Sequence, residues 1–163
     1  MKNLKVRKFS KVISMFTIGF VASQLAFAGE CLIYRDSGIV REGWGTYIGY
    51  VQNGLVFSDS GKAAAGFGTY VGNVQDGLVR QDSGKIVFGM GNYIGNVQDG
   101  IIRRDSGKAV VSFGKYVGNV QDNIIRADSG KISSGWGTYV GSAKGSCSED
   151  EIGAAALLLL QLR

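Results

Sequence analysis

A step of 23 residues that runs along most of the chain narrows the fold more than any other feature. Asp-Ser-Gly begins at Asp36, Asp59, Asp82, Asp105 and Asp128, and a second signature, Gly-x-Tyr-x-Gly, keeps the same step with Tyr47, Tyr70, Tyr93, Tyr116 and Tyr139 at its centre. A fixed period of this size marks a repeat architecture, in which copies of one unit stack because no single copy can cover its own apolar surface.

Local signals within a unit predict antiparallel strands. Tyr70-Val71-Gly72-Asn73-Val74 is a short β-rich run, Asp76-Gly77 separates it from Leu78-Val79-Arg80-Gln81, and Asp82-Ser83-Gly84 follows. Asp-Gly between two such runs predicts a tight primed hairpin turn, because Gly adopts positive φ without steric cost. Asp-Ser-Gly supplies the second reversal, the Asp side chain bonding the backbone beyond it. Each unit is thus expected to contribute two or three strands.

The two ends decide between an open solenoid and a ring. Glu30 to Asp36 aligns with Asp76 to Asp82, and Tyr139 to Gly145 aligns with Tyr70 to Asp76, so each end carries half a unit. The halves complete one another if the chain closes on itself. Cys31 and Cys147, the two cysteines of the sequence, fall where those halves should meet. They are expected to form a disulfide that clasps the ring, worth roughly 3–5 kcal/mol through restriction of the unfolded chain.

Residues 1–28 read as a leader. Lys2, Lys5, Arg7, Lys8 and Lys11 precede an apolar run from Val12 to Ala28 that closes on Ala26-Phe27-Ala28. This is the pattern of a secretory signal peptide cleaved between Ala28 and Gly29, and it predicts a periplasmic or extracellular protein. Glu30 before Cys31 does not suit a lipoprotein signal. Five of the 18 Lys and Arg lie in the leader, which leaves 13 against the 13 Asp and Glu. The basic character belongs to the export signal, so nucleic acid is not an expected partner.

The chain contains no histidine. Ser-His-Asp triads, Cys-His dyads and zinc-protease sites are therefore excluded, and neither a catalytic residue, a cofactor nor a metal is expected. After Cys147 the character changes: Ser148-Glu149-Asp150-Glu151 is a capping sequence, and Ile152 to Leu162 is almost wholly apolar. Residues 148–163 should form a short helix plugging or packing on the ring, its eleven-residue apolar run of about 16 Å too short to span a bilayer. The domain plan is leader 1–28, β-repeat ring 29–147 and C-terminal helix 148–163, an all-β fold closed as a five-fold ring of hairpins.

Repeated "YIGNVQDGIIRRDSGK" units, a last unit running into "YVGSAKG" and an "AAALLLL" terminus make the chain resemble the five-fold β-flower family of small exported bacterial proteins. That resemblance covers essentially the whole mature chain. It implies a ring of β-hairpin petals with the C-terminal segment at its centre, and it carries no catalytic residues to transfer. The family usually ends in a phenylalanine run where this chain has Leu157 to Leu160, and segments such as Gly89-Met90-Gly91-Asn92 look fuller here. The step with Tyr-x-Gly is also similar to MORN repeats, which build an open intracellular ribbon; the leader and the complementary halves favour the ring.

Three repeated residue sets are candidate sites. The first is an aromatic ladder, Trp44, Tyr47, Phe67, Tyr70, Tyr93, Phe113, Tyr116, Trp136 and Tyr139, with Met90 in the Trp position of its unit. Flat rings displayed several times suit sugar stacking with avidity, whereas two packed layers of the ring would use the same residues as core. Glycines on either side of each Tyr permit a bulge, so strand parity leaves the facing of the ladder open. The second set, the five aspartates of Asp-Ser-Gly, suits either a calcium-binding ring of carboxylates or ordinary turn starts. The third, Arg80, Arg103 and Arg126, is interrupted by Tyr34 and Phe57 and reads as a solvated face.

The expected function is a non-enzymatic exported structural or interaction module, its partner a polysaccharide or another envelope protein. One alternative is a carbohydrate-binding module that uses the aromatic ladder. Another is an oligomerising or membrane-active protein that uses the apolar tail.

Overall fold

The computed structural model describes residues 30–61 and 66–163; the leader lies outside the described residues. Ten antiparallel strands, counted among those residues, close into a barrel in the order β1-β10-β9-β8-β7-β6-β5-β4-β3-β2. They are β1 (Cys31–Arg35), β2 (Thr46–Gln52), β3 (Leu55–Ser58), β4 (Thr69–Gln75), β5 (Leu78–Gln81), β6 (Asn92–Gln98), β7 (Ile101–Arg104), β8 (Lys115–Gln121), β9 (Ile124–Ala127) and β10 (Thr138–Gly145). One helix, α1 (Glu149–Leu158), follows.

Tight turns join the strands at one end of the barrel. Asn53-Gly54 has φ of 51° and 75°, Asp76-Gly77 51° and 72°, and Asp99-Gly100 51° and 71°. Two consecutive positive φ values define the primed turn whose twist matches that of the flanking strands. Asp122-Asn123 makes the same turn without glycine, at 50° and 61°. At the corresponding place between β10 and β1 no turn is needed: Cys31 pairs with Gly145 in register, and the Cys31–Cys147 disulfide joins the two segments with Cα atoms 5.0 Å apart. Long loops join the strands at the opposite end, which we call the mouth.

Helix α1 enters at the turn end and fills the barrel. It packs against strands β1 through β9, and Ile152 to Leu157 are buried. Ser148 Oγ accepts from Glu151 N while the Glu151 carboxylate accepts from Ser148 N, a reciprocal capping box. The same carboxylate accepts from Gly54 N at 3.1 Å, which ties the helix start to the β2–β3 turn.

The helix is shorter than the 148–163 span expected from the apolar run. It gives way at Leu159, where Leu160 N donates to Ala155 O, five residues back, and Leu162 N to Ala156 O, six back. The wall explains why. A Cβ placed on Gly95, Gly72, Gly49, Gly141 or Gly118 would meet the Cδ1 of Leu157, Leu158, Leu159, Leu160 or Leu162 respectively, at 2.9–3.4 Å. In that order the leucines visit β6, β4, β2, β10 and β8, moving round the wall two strands at a time. Two strands in ten are roughly 72° of arc, whereas an α-helix turns by about 100° per residue. The tail therefore unwinds toward wider, π-like turns so that each leucine reaches its own glycine. Its freed carbonyls find partners in two arginines: Arg35 Nη2 donates to Leu159 O at 3.0 Å, and Arg104 Nη1 to Leu162 O at 2.8 Å.

Candidate functional site

A bulge beside each Tyr sorts the repeated residues onto two faces of the wall. In the β3–β4 pair Phe57 faces Tyr70 and Val56 faces Gly72, so Val71 is the extra residue. Without it, Tyr70 and Gly72 would share a face. With it, Gly72 looks inward at Leu158, while Tyr70 lies on the outer face with its ring 5.8 Å from that of Phe57. Comparable register shifts occur at Ile33/Tyr34, Val79/Arg80, Ile102/Arg103 and Tyr139/Gly141.

The outer tyrosines are nevertheless covered. Tyr47, Tyr70, Tyr116 and Tyr139 are buried, because the long loops fold back from the mouth and lie along the outer wall. An asparagine three residues after the tyrosine holds the loop in place. Asn119 Nδ2 donates to Tyr116 Oη and to Trp136 O, both at 2.8 Å, and its Oδ1 accepts from Gly135 N at 3.0 Å. Asn73 makes the same three contacts with Tyr70, Met90 O and Gly89 N. Asn96 does so with Tyr93, Phe113 O and Ser112 N. All three asparagines are fully buried. Ser142 stands at the corresponding place on β10 and accepts from Gly43 N through its Oγ, and Tyr50 does so on β2, stacked on Phe57 at 4.8 Å. The loop from β1 to β2 is thus pinned by the last strand of the chain. The sequence signal for this clamp is polar Asn73, Asn96 and Asn119 inside β-branched runs, a pattern that by itself equally suits solvated residues on the outer face of a strand.

Four of the five long loops are gripped by the backbone in this way, and a neighbouring apolar side chain on all five is left in water. Trp44, Phe67, Met90, Phe113 and Trp136 are 48, 88, 59, 65 and 73% exposed. Ile39, Val40, Ile86, Val87, Phe88, Val110, Val111 and Ile132 on the same loops are also exposed. The ladder expected from the sequence is therefore two separate layers: tyrosines under the loops, and an outer row of Trp, Phe and Met on them. Met90 joins the exposed row rather than filling core.

The loop tips, just before the row in sequence, reach the turn end. A Cβ on Gly54 would lie 3.5 Å from Phe88 Cε1, and one on Gly77 3.4 Å from Val111 Cγ1. Ser112 Oγ bonds Gln98 Oε1 at the last residue of β6. The turn end is acidic. Asp76, Asp99 and Asp122 occupy exposed turn positions, and Glu149, Asp150 and Glu151 form the first turn of α1. Partial burial, then Asp99 and Glu151, push the Asp150 carboxyl above its ordinary value. Lys144, the last cation of β10, packs beside Gly43 at this end.

The other candidate sets are engaged in structure. Each Asp of Asp-Ser-Gly accepts from the backbone of the Gly two residues on, at 2.9–3.0 Å, the bond expected of an Asx turn. Among the described residues no group of three His, Cys, Asp or Glu is placed to hold a metal. Arg80 and Arg103 stand on the outer wall opposite Tyr93 and Tyr116, and Arg126 opposite Tyr139. The tyrosines themselves are shielded: burial first, then the Asp59 carboxylate 3.4 Å away, push the Tyr47 phenol well above its ordinary value. At the mouth, a shallow cleft of about 440 Å³ lies between Arg35, Asp36, Ser37, Val140, Leu160 and Leu162.

Comparison with protein-family models, curated proteins and solved structures finds no match to this chain.

Proposed function

We propose that this protein is an exported, non-enzymatic interaction module of the five-fold β-flower type, built from five 23-residue hairpin units closed into a ring. Its contact surface is the exposed row Trp44, Phe67, Met90, Phe113 and Trp136. The observation that carries this reading is the contrast within the loops of Trp44, Met90, Phe113 and Trp136: the backbone is fixed by a buried Asn or Ser, while the adjoining large apolar side chain is left 48–73% exposed. Isolated apolar side chains on a surface need no explanation, but a row of them on rigidly held loops marks an interaction site. Rigid display also lowers the ordering cost of binding. The barrel interior does not compete for this role, because the chain's own leucines occupy it.

A carbohydrate reading has its own support in the flat rings of Trp44, Phe67, Phe113 and Trp136, which suit stacking on sugar faces. A glycan array and a peptide library probed in parallel with the full mature chain test both. The chain is expected to bind in one of the two formats, and a folded Trp44→Ser, Phe67→Ser, Phe113→Ser, Trp136→Ser variant is expected to lose that binding. A native protein silent on both, or a variant that binds as before, would overturn the proposal.

A further inference from the structure

The row could be covered by a second copy, a lipid surface or a partner of another kind, and the charge beside it chooses between them. Asp76, Asp99, Asp122, Glu149, Asp150 and Glu151 share the turn end with Lys144 and with Phe88 and Val111 of the loop tips, so the surface on that side of the row is negative. Two such ends brought face to face would repel, and so would an anionic lipid surface. A cation is attracted. The chain already shows how the row accepts one: the Arg41 guanidinium lies over the Trp44 ring, 5.0 Å from its centroid, a cation–π contact. Among the described residues, the lysines of the long loops, Lys85, Lys108 and Lys131, directly follow the Asp-Ser-Gly turns at the mouth, away from this surface.

We infer that the turn end is a docking surface for a cationic amphipathic polypeptide segment, one that sets Lys or Arg against the turn carboxylates and apolar side chains against the Trp and Phe row. This rests on the interaction-module reading and adds the chemical class of the partner. The acidic turn residues are dispensable for folding, because Asn53 adopts the same backbone conformation at φ 51° in the β2–β3 turn. Asp76→Asn, Asp99→Asn, Asp122→Asn is therefore a variant that removes charge and keeps the turns.

Three probes decide the matter with the full mature chain: a helical peptide of Lys and Leu, its counterpart with Glu for Lys, and phosphatidylglycerol vesicles. The Lys peptide should bind and the Glu peptide should not, with affinity falling about tenfold between about 0.05 and 0.3 M salt. The triple Asn variant should weaken binding by roughly tenfold, and the Trp/Phe→Ser variant should abolish it. Equal binding of both peptides, or unchanged affinity in the triple Asn variant, would overturn the cationic partner while leaving the row as a contact surface. Loss of the Asn effect together with an inert Trp/Phe→Ser variant would overturn both. Binding to the vesicles without binding to the Lys peptide, or a concentration-dependent dimer with no peptide binding, would also overturn the inference.

Discussion

At the scale of single residues, the inward glycines are the least replaceable positions, for reasons of space. A Cβ on Gly72 would overlap the Arg80 carbonyl oxygen and come within 2.9 Å of Leu158 Cδ1. Neither neighbour can retreat, one being backbone and the other packed in the barrel. Gly72→Ala should therefore destabilise the protein by about 3 kcal/mol, the upper part of the overpacking range. Gly38→Ala, whose Cβ would meet only Asp36 Oδ1 at 3.6 Å, should change stability by less than about 0.5 kcal/mol. Urea denaturation of the pair checks the contrast, and equal costs would refute it. Tyr47 carries a pH dependence of definite sign. Its phenol is pushed up in the folded state, so above pH of about 10 the unfolded chain loses a proton that the folded chain keeps, and stability falls as pH rises. Tyr34 shifts the same way through burial. Tyr47→Phe should flatten the alkaline limb of a stability-versus-pH curve, and an unchanged limb would mean that the phenol ionises freely in the fold.

At the scale of elements, α1 is specified by its cap and limited by its surroundings. Ser148→Ala removes one acceptor and should cost about 1 kcal/mol. Glu151→Ala should cost more, about 2 kcal/mol, because its carboxylate accepts from Ser148 N and also from Gly54 N across the barrel end. Chemical denaturation of both variants is the check; equal losses would show that the Gly54 bond adds nothing. The helix is not ended by a Gly or Pro. It ends because five leucines must reach five glycines spaced round a ten-stranded wall, and regular α-helical winding cannot place them there.

At the scale of the whole molecule, closure is shared between a disulfide and a plug. Cys31 and Cys147 are 116 residues apart in sequence, so the bond restrains nearly the whole unfolded domain, by roughly 3–5 kcal/mol in the chain-entropy model. Cys31→Ser should lower the melting temperature by on the order of 10 °C, read by circular dichroism without reductant. A shift within error would show that pairing of β1 with β10 alone secures the seam. The charge pattern also belongs to this scale. The turn end is negative because hairpin-turn aspartates and the acidic first turn of α1 come together there, though residues 29–163 carry equal numbers of acids and bases.

Much of this was legible in the chain itself. Asp76-Gly77 and its counterparts predicted tight primed turns because two successive positive φ values are a local demand that Gly and Asp meet. The cysteines predicted their own pairing because the alignment of Glu30 to Asp36 with Asp76 to Asp82 placed the two ends together. Local chemistry and internal alignment thus determined the strands, the turns and the clasp. What only the tertiary structure decided was facing. A one-residue bulge at Val71 turns Tyr70 outward and Gly72 inward, and no pattern of hydrophobicity records that choice, because Tyr is at home on either face. Asn73, Asn96 and Asn119 became clamps only once loops folded back over the outer wall, and Trp44, Phe67, Met90, Phe113 and Trp136 became a surface for the same reason. Which apolar side chain is core and which is exposed depends on what the rest of the chain covers, and covering is settled by packing between segments remote in sequence.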